Sequence, residues 1–284
     1  TALLPTGGDD EIEDEKILEE VLKLLKVEQE EFDSWGKKKQ ASKITYYREA
    51  AIYRQLYGKS GRRTKKRFSG HRDLAFISSG VIRFFQEILG MAYYLQSNEG
   101  SSAVSAIEPR HQSLAVHTVS SHNLATLSRN VESYGEQLKY FLLDLGDCLR
   151  QKLLHHSKEP EAARIAIRDP ESLSSDRYTF LNMMLNLGVK EGVFQTVDGR
   201  PGIRPKHVED PQPVEINIAR IYAPALQTSP RLRWPSPVSC AELLGLLDEH
   251  ERRSTKRKII TRFAQKKDET PKDQGQPLFK EDDE

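Results

Sequence analysis

The chain of 284 residues is long enough for one large domain or two ordinary ones, and a mean hydropathy of −0.63 with 30% charged residues indicates that solvated tails or linkers accompany the folded part. Its 43 Lys and Arg residues balance 42 Asp and Glu residues, which excludes a uniformly basic nucleic-acid binder and an acidic solvating protein but leaves local charged patches open. The two cysteines, Cys148 and Cys240, have no nearby cysteine partner, which argues against a disulfide scaffold or a cysteine-based zinc site and is typical of a reducing compartment.

No apolar run reaches the roughly 18 residues that a membrane-spanning helix needs, and no secretory leader is visible. We therefore expect a cytoplasmic protein that has no membrane partner. The chain begins with Thr1 rather than Met, so we expect a fragment or a processed chain, although a complete product stays open.

The first hundred residues are predicted to be helical. Apolar residues at helical spacing predict a helix within the acidic segment 9–33 and another from 44 to its end at Gly58. A basic loop over 58–67 follows, then a short helix at 74–77. Ser78, Ser79 and Gly80 interrupt the pattern, and a strong amphipathic helix over 81–95 comes next, with the serine hydroxyls available to cap it.

A Gly/Ser-rich stretch at 98–105 marks the first domain boundary of the sequence. Beyond it, apolar spacing predicts helices and β-rich patterns predict short strands, with Asp198-Gly199 as a hairpin turn. From 249 onward the chain alternates clusters of opposite charge and is expected to be disordered. The predicted helices span 119–131, 134–155, 178–187 (ended by Gly188) and 240–247; the predicted strands span 165–167, 193–197 and 214–221.

Motifs for catalysis and metal binding are absent from the sequence, which has no GxxxxGK[ST], GxGxxG, HExxH or GxSxG. His155 and His156 are adjacent, so on a helix they point in different directions and cannot share a metal ion as an i, i+4 pair does. The sequence offers no recognisable set of a nucleophile, a base and a group that orients the base. We therefore expect no catalytic residues and no metal site in this chain.

Arg83 is the residue with the most specific signal. It falls in the first turn of the helix predicted over 81–95, where a positive charge opposes the helix dipole. Two interpretations stay open: the arginine has a structural role, snorkelling to solvent or pairing with a carboxylate, or it serves an external anion.

The sequence resembles a known family over most of residues 40–247. The segments 46–51, 68–70 and 76–88 look like the helical lid of AAA+ ATPases of the origin-recognition-complex-like class, and more closely like bacterial relatives that accompany mobile elements and defence islands. Segments 216–224 and 232–234 resemble the strand-and-proline pattern at the C-terminal end of those bacterial proteins. In the class, a Ser-Gly-x-x-Arg motif of the lid supplies the sensor-2 arginine, which contacts the γ-phosphate of ATP.

The resemblance implies the site residues and the partners. Arg83 matches the sensor-2 arginine, and Ser79 and Gly80 match the two residues that open the motif, so all three are predicted to bind nucleotide. The Walker A, Walker B and arginine-finger elements are absent, so an upstream P-loop ATPase domain is an implied partner. ATP and Mg²⁺ then bind in the full-length protein only, and this chain alone binds neither.

The resemblance also implies an architecture. We expect a mainly α fold in which a helical AAA+ lid-like bundle is followed by a winged helix-turn-helix with a small β-hairpin. The predicted domains are an acidic helix with the lid-like domain (1–97), a linker (98–118), a winged-helix domain (119–247) and a charged, disordered tail (248–284). In the class the winged helix contacts double-stranded DNA or a neighbouring subunit, so a homo-oligomer is also open.

Two basic regions are candidates for contacts with nucleic-acid phosphates, which need only exposed Lys or Arg. The first region is the basic loop, for which the alternative is a loop that is merely solvated. The second is the predicted winged helix, for which the alternative is packing against another domain. The candidates are Arg62, Arg63, Lys65, Lys66 and Arg67 in the basic loop, with Arg177, Lys190, Arg200, Arg204 and Lys206 around the predicted recognition helix and wing.

Together these observations predict the C-terminal regulatory and DNA- or partner-binding portion of an AAA+ ATPase. The alternative from another class of protein is a non-enzymatic winged-helix adaptor that binds protein without any link to nucleotide.

Overall fold

The computed structural model describes residues 14–58, 65–99, 106–131, 133–155, 164–196, 214–231 and 235–265. Helices predominate, and a small four-stranded sheet lies in the second half of the chain. This arrangement confirms the predicted mainly α fold with a small β-hairpin region. Within the described ranges, none of the helices combines the length and apolar character needed to cross a membrane.

The first three helices include a packed pair, the first and the third, with its own apolar cluster. They are α1 (Asp14–Leu25), α2 (Gln29–Asp33) and α3 (Lys37–Tyr57). Ile17, Val21 and Leu24 recur at helical spacing on α1 and are buried against the C-terminal half of α3. Leu153, near the end of a later helix, closes the same cluster and joins the pair to the rest of the protein.

The next helices follow the predicted order, with one large difference. They are α4 (His71–Ile77), α5 (Ile82–Asn98), α6 (Pro109–Asn130) and α7 (Gly135–His155). We predicted α6 to begin at 119, but it begins at Pro109, inside the predicted linker, where proline suits the first turn of a helix. Its first turns carry polar side chains that look solvated in the sequence. Gln112 is nevertheless buried, donating to the Ile107 carbonyl and accepting from the Gly70 amide.

The sheet has the strand order β2-β3-β1-β4, with β1 (Arg164–Ile167), β2 (Phe194–Thr196), β3 (Val214–Ile218) and β4 (Pro235–Val238). β2 and β3 pair antiparallel and β3 pairs antiparallel with β1, whereas β4 lies parallel to β1 at the edge. β4 was not predicted because Pro235 and Pro237 read as a loop. An edge strand tolerates proline, since one side of its backbone needs no ladder bonds.

Helix α8 (Thr179–Lys190) follows β1 and precedes β2 along the chain. It continues through Gly188, where we predicted its end. A Cβ at Gly188 would lie 2.2 Å from Cδ2 of Phe194, so this glycine is needed for close packing. The chain instead reverses at Gly192, whose φ of +69° is readily adopted only by glycine.

The C-terminal helices close the fold: α9 (Ala223–Leu226), α10 (Cys240–Leu247) and α11 (Arg252–Gln265). The disorder predicted from 249 onward is wrong for α11, which buries Ile259 and Phe263. Its start is fixed by Asp248, whose carboxylate accepts bonds from the amides of His250 and Glu251. The remainder of the predicted tail, 266–284, lies outside the described residues.

One hydrophobic cluster runs from Phe68 to Phe263, and it includes side chains of α5, α6, α7, the sheet, α10 and α11. The predicted lid-like and winged-helix segments therefore share a core. The predicted domain boundaries stay a prediction about sequence organisation.

Candidate functional site

The turn that joins α4 to α5 carries two of the predicted nucleotide-binding residues. Ser79 and Gly80 adopt positive φ values of 56° and 76°, which reverses the chain between the two helices. A left-handed conformation costs a serine about 1 kcal/mol. The Ser79 hydroxyl offsets this cost because it accepts a 2.9 Å hydrogen bond from the backbone N–H of Arg220. The turn is thereby fixed to the chain just beyond β3.

The serine hydroxyls do not cap α5 as we predicted. The residue before the helix is Val81, which has no side chain able to accept from the first-turn amides, and Ser78 donates instead to the Ala75 carbonyl. No acidic residue lies in the first turn of α5 either. This end of the helix therefore keeps its positive dipole exposed.

Arg83 lies in that first turn, as predicted, and its side chain is 69% exposed. Its Nε is 3.5 Å from Oε1 of Glu87, one turn along α5, and the second oxygen of Glu87 accepts from Nδ2 of Asn123 at 3.2 Å. A surface ion pair of this kind contributes at most about 1 kcal/mol. The guanidinium is therefore held near a carboxylate that it can leave for an external anion.

Several large apolar side chains near Arg83 and along α5 are exposed. Phe76, Val81 and Ile82 are all exposed beside Arg83, Ile82 to 68%, and Tyr93 and Tyr94 are exposed farther along α5. The guanidinium of Arg220 lies over the ring of Phe76, 4.3 Å from its centroid. Arg83 and Gly80 thus lie on an open face, which we call the α5 face, and not within the closed core.

The basic loop is only partly described, because Arg62 and Arg63 lie outside the described residues. Lys65 and Arg67 are exposed. Lys66 differs from them: its side chain is only 11% exposed and its ammonium lies 2.5 Å from Oε1 of Glu49. Its charge is already used within the fold, so we remove Lys66 from the candidate phosphate contacts.

Around α8, Arg177 is exposed just before the helix and Lys190 is exposed at its last position. Between them the outer face of α8 presents Asn182, Met183 and Asn186, and the two asparagine side chains hydrogen-bond to each other at 3.0 Å. The predicted wing residues Arg200, Arg204 and Lys206 lie outside the described residues. The order β1, α8, β2, β3 and the antiparallel pairing of β3 with both other strands place α8 against the hairpin.

A family model described as ORC-CDC6-like matches residues 10–235, which is most of the chain. The chain belongs to the ORC-CDC6-like family. It is therefore related to AAA+ ATPases, in agreement with the coarser part of the sequence prediction. Searches of curated proteins and of solved structures found no significant match.

Two residues of the site in this ORC-CDC6-like chain were missed by the sequence analysis. Arg220 holds the Ser79 turn from 141 positions away, and Asn123 of α6 orients Glu87, which in turn pairs with Arg83. Neither contact has a local sequence signal, because both depend on how distant elements pack. The proline-flanked strand end near Arg220 was part of the family resemblance, but it did not identify this contact.

The two cysteines of the ORC-CDC6-like chain take no part in the α5 face. Cys148 and Cys240 are free and buried, and burial raises the pKa of Cys148 to about 12 and that of Cys240 to about 11. Both are neutral thiols at physiological pH. Across the described ranges, no three His, Cys, Asp or Glu side chains lie close enough to hold a metal ion.

Proposed function

We propose that this chain is the lid and DNA- or partner-binding portion of an ORC/CDC6-like AAA+ ATPase, and that Arg83 senses ATP held by a P-loop domain on other residues. ATP, with its Mg²⁺, supplies the phosphoryl chemistry when bound. The role of Arg83 is to place a permanently charged donor fork on the terminal phosphate when the lid closes.

The observation that carries this proposal is the exposed, weakly paired guanidinium of Arg83 at the uncapped start of α5. Both the arginine and the helix end present positive charge to the same open face, which favours an anion there. Glu87 is 3.5 Å away and holds Arg83 while no anion is present. Exchange of this carboxylate for a phosphate would couple lid position to nucleotide state.

The second half of the chain supports the DNA- or partner-binding part of the proposal. A helix followed by an antiparallel hairpin that pairs with the preceding strand is the arrangement of a winged helix-turn-helix. In this proposal the outer face of α8 enters the major groove of double-stranded DNA, and Arg177 and Lys190 contact phosphates at its two ends. The same module would contact a neighbouring subunit in a homo-oligomer. A bacterial defence setting is carried by the resemblance alone.

A protein-binding adaptor is the second candidate, and the exposed apolar residues of the α5 face favour it. Ile82, Tyr93 and Tyr94 together form a surface that another protein would cover. The first proposal assigns this surface to the P-loop domain, whereas the adaptor assigns it to a separate partner. The reading frame decides cheaply between them: an in-frame GxxxxGK[ST] upstream of Thr1 supports the ATPase, and unrelated sequence supports the adaptor.

The direct test is Arg83→Ala in the complete protein that carries the P-loop domain. ATP turnover should fall at least about tenfold, since losing one positioned donor to developing charge costs about 10²–10³ in rate. The thermal unfolding temperature should stay nearly unchanged because the Glu87 pair is exposed. Arg72→Ala is the matched control, since Arg72 is an exposed arginine on the preceding helix. Equal turnover in the wild type and Arg83→Ala would remove Arg83 from the nucleotide site.

A further inference from the structure

Helix α11 separates its basic residues into two groups with different surroundings. The inner group is paired with carboxylates of α7 and α10: Arg252 and Lys256 contact Asp144 at 3.5 and 2.9 Å, and Arg262 contacts Glu242 at 2.6 Å. The outer group, Arg253, Arg257 and Lys258, is exposed and makes no ion pair with any described residue. The charges of the inner group fix the helix, while those of the outer group face solvent.

The outer group forms a continuous strip. At about 100° per residue, positions 253, 254, 257, 258 and 261 cover an arc of about 140°, opposite the buried stripe of Thr255, Ile259 and Phe263. The two other exposed residues of the arc are Ser254, whose hydroxyl donates to the Glu251 carbonyl at 2.9 Å, and Thr261, whose hydroxyl is a hydrogen-bond donor. The five residues of the arc include no carboxylate. We call these five residues the α11 strip.

From this arrangement we infer that the α11 strip binds the phosphate backbone of duplex nucleic acid. Arginine, lysine and hydroxyl side chains are the groups that contact phosphates without reading sequence. Arg253 and Arg257 are about one helical turn apart, about 6 Å along the axis. They can therefore contact two successive phosphates of a strand, and not only a single ion. The strip is separate from α8, which the proposed function uses, and from the basic loop. Its test needs neither nucleotide nor a P-loop domain.

The structure favours a nucleic acid over a membrane surface as the partner. A helix that lies in a membrane interface must insert an apolar face, but the apolar face of α11 is covered by α7 and α10. A Cβ at Gly245 of α10 would lie 2.6 Å from Oγ1 of Thr255, so α10 and α11 are in close contact. The strip is thus presented on a fixed element.

The test compares two triple variants of the full chain by fluorescence anisotropy on a labelled 30-base-pair duplex. One is Arg253→Ala, Arg257→Ala, Lys258→Ala. The control is Lys37→Ala, Lys38→Ala, Lys43→Ala on α3, which removes the same charge elsewhere. The strip variant should bind at least tenfold more weakly near 100 mM NaCl, and its slope of log K against log salt should be shallower by about 2.7, since each phosphate contact contributes about 0.9. The control should differ from the wild type by less than threefold.

Three outcomes would overturn the inference. They are equal weakening in both variants, absence of duplex binding by the wild type, and tighter binding of the wild type to polyglutamate or to phosphatidylserine vesicles than to the duplex. Circular dichroism of the strip variant guards against unfolding, which we do not expect because the three side chains are exposed. A strip variant that loses DNA while Arg83→Ala keeps full ATP turnover would support the strip and reject the proposed nucleotide role.

Discussion

Gly188 and Gly90 both lie inside helices, but their surroundings differ, and this difference makes a prediction. A methyl group at Gly188 would press on the ring of Phe194, which is 1% exposed, whereas at Gly90 it would meet nothing within 4 Å. We expect Gly188→Ala to lower the free energy of unfolding by about 1–3 kcal/mol through overpacking. Gly90→Ala should raise it by up to about 1 kcal/mol because alanine favours the helix. Urea denaturation of both variants measures the two signs.

If Gly90→Ala were destabilised, a methyl group at position 90 of α5 would have to collide with another part of the protein. An unaffected Gly188→Ala would show that Phe194 moves aside at no cost, and that α8 and β2 are less tightly packed than described. In the sequence, Gly90 falls inside a helical pattern, whereas Gly188 was predicted to end its helix. The position of the β2 ring distinguishes their surroundings.

Single residues of the candidate site were predicted to very different degrees. Arg83 was singled out because its position in a first turn conflicts with the helix dipole, which is a local signal, and its nucleotide role stays a prediction from the family resemblance. Lys66 was assigned to the wrong environment because its partner, Glu49, lies on another element 17 positions away. A lysine in a run of exposed basic residues looks solvated until the fold brings a buried carboxylate to it.

At the scale of elements, the sequence predicted the helices whose apolar residues form a stripe along one face. The spans of α5 and α7 match the predicted ones closely, and α1 forms the helix predicted within 9–33 over only part of that segment. Each of the three buries a regular apolar face. The first half of α6 and all of α11 were missed, since buried polar side chains and ion pairs stabilise them. These contacts join residues that are far apart in sequence, such as Gln112 with Gly70 and Lys256 with Asp144. Periodicity cannot reveal such pairs.

The attachment of α11 to α7 can be tested at Asp144. Its carboxylate is 12% exposed and contacts both Arg252 and Lys256, so Asp144→Asn keeps the shape and removes the charge. Lys256 keeps a partner in Asp147, at 3.3 Å, which limits the loss to about 1–2 kcal/mol. We expect amide hydrogens of 252–265 to exchange about tenfold faster, because each 1.4 kcal/mol changes an opening equilibrium tenfold.

Glu249→Gln is the matched control for this experiment, since Glu249 is an exposed carboxylate that makes no ion pair with the described residues. Hydrogen exchange read by mass spectrometry should show the wild-type rate for α11 in this control. If Asp144→Asn also left α11 at the wild-type rate, burial of Ile259 and Phe263 alone would hold the helix.

At the scale of the whole molecule, the α5 face and the α11 strip belong to one packed body. The cluster from Phe68 to Phe263 includes the inner sides of both α5 and α11. The two surfaces therefore keep a fixed relation, so a partner bound to one is presented at a set position to the other. This continuity was not visible in the sequence, where a Gly/Ser-rich stretch separates the segments.

The shared core also holds neutral groups that must stay protonated, and this makes the stability of the protein sensitive to alkali. Burial, with the nearby charges of Asp147 and Asp144, raises the pKa of Cys148 from 9.0 to about 12, and burial raises the pKa of Tyr222 from 10.0 to about 12. Between pH 9 and 12 the folded state keeps the Cys148 proton that the unfolded state has lost. The stabilisation is therefore complete below pH 9 and declines as pH rises through the folded pKa.

Cys148→Ala should remove one of the protons that the folded chain retains and the unfolded chain loses in this pH range. The wild-type free energy of unfolding, measured by urea denaturation from pH 8 to 11, should decline above pH 9. The variant should decline less steeply by about 1.4 kcal/mol per pH unit for the lost thiol. Leu145→Val, another core change in α7, should lower the curve without altering its slope, since it removes volume and no titrating group. Parallel curves for Cys148→Ala and the wild type would mean that Cys148 ionises as readily in the folded chain as in the unfolded one, which is incompatible with a thiol in the shared core.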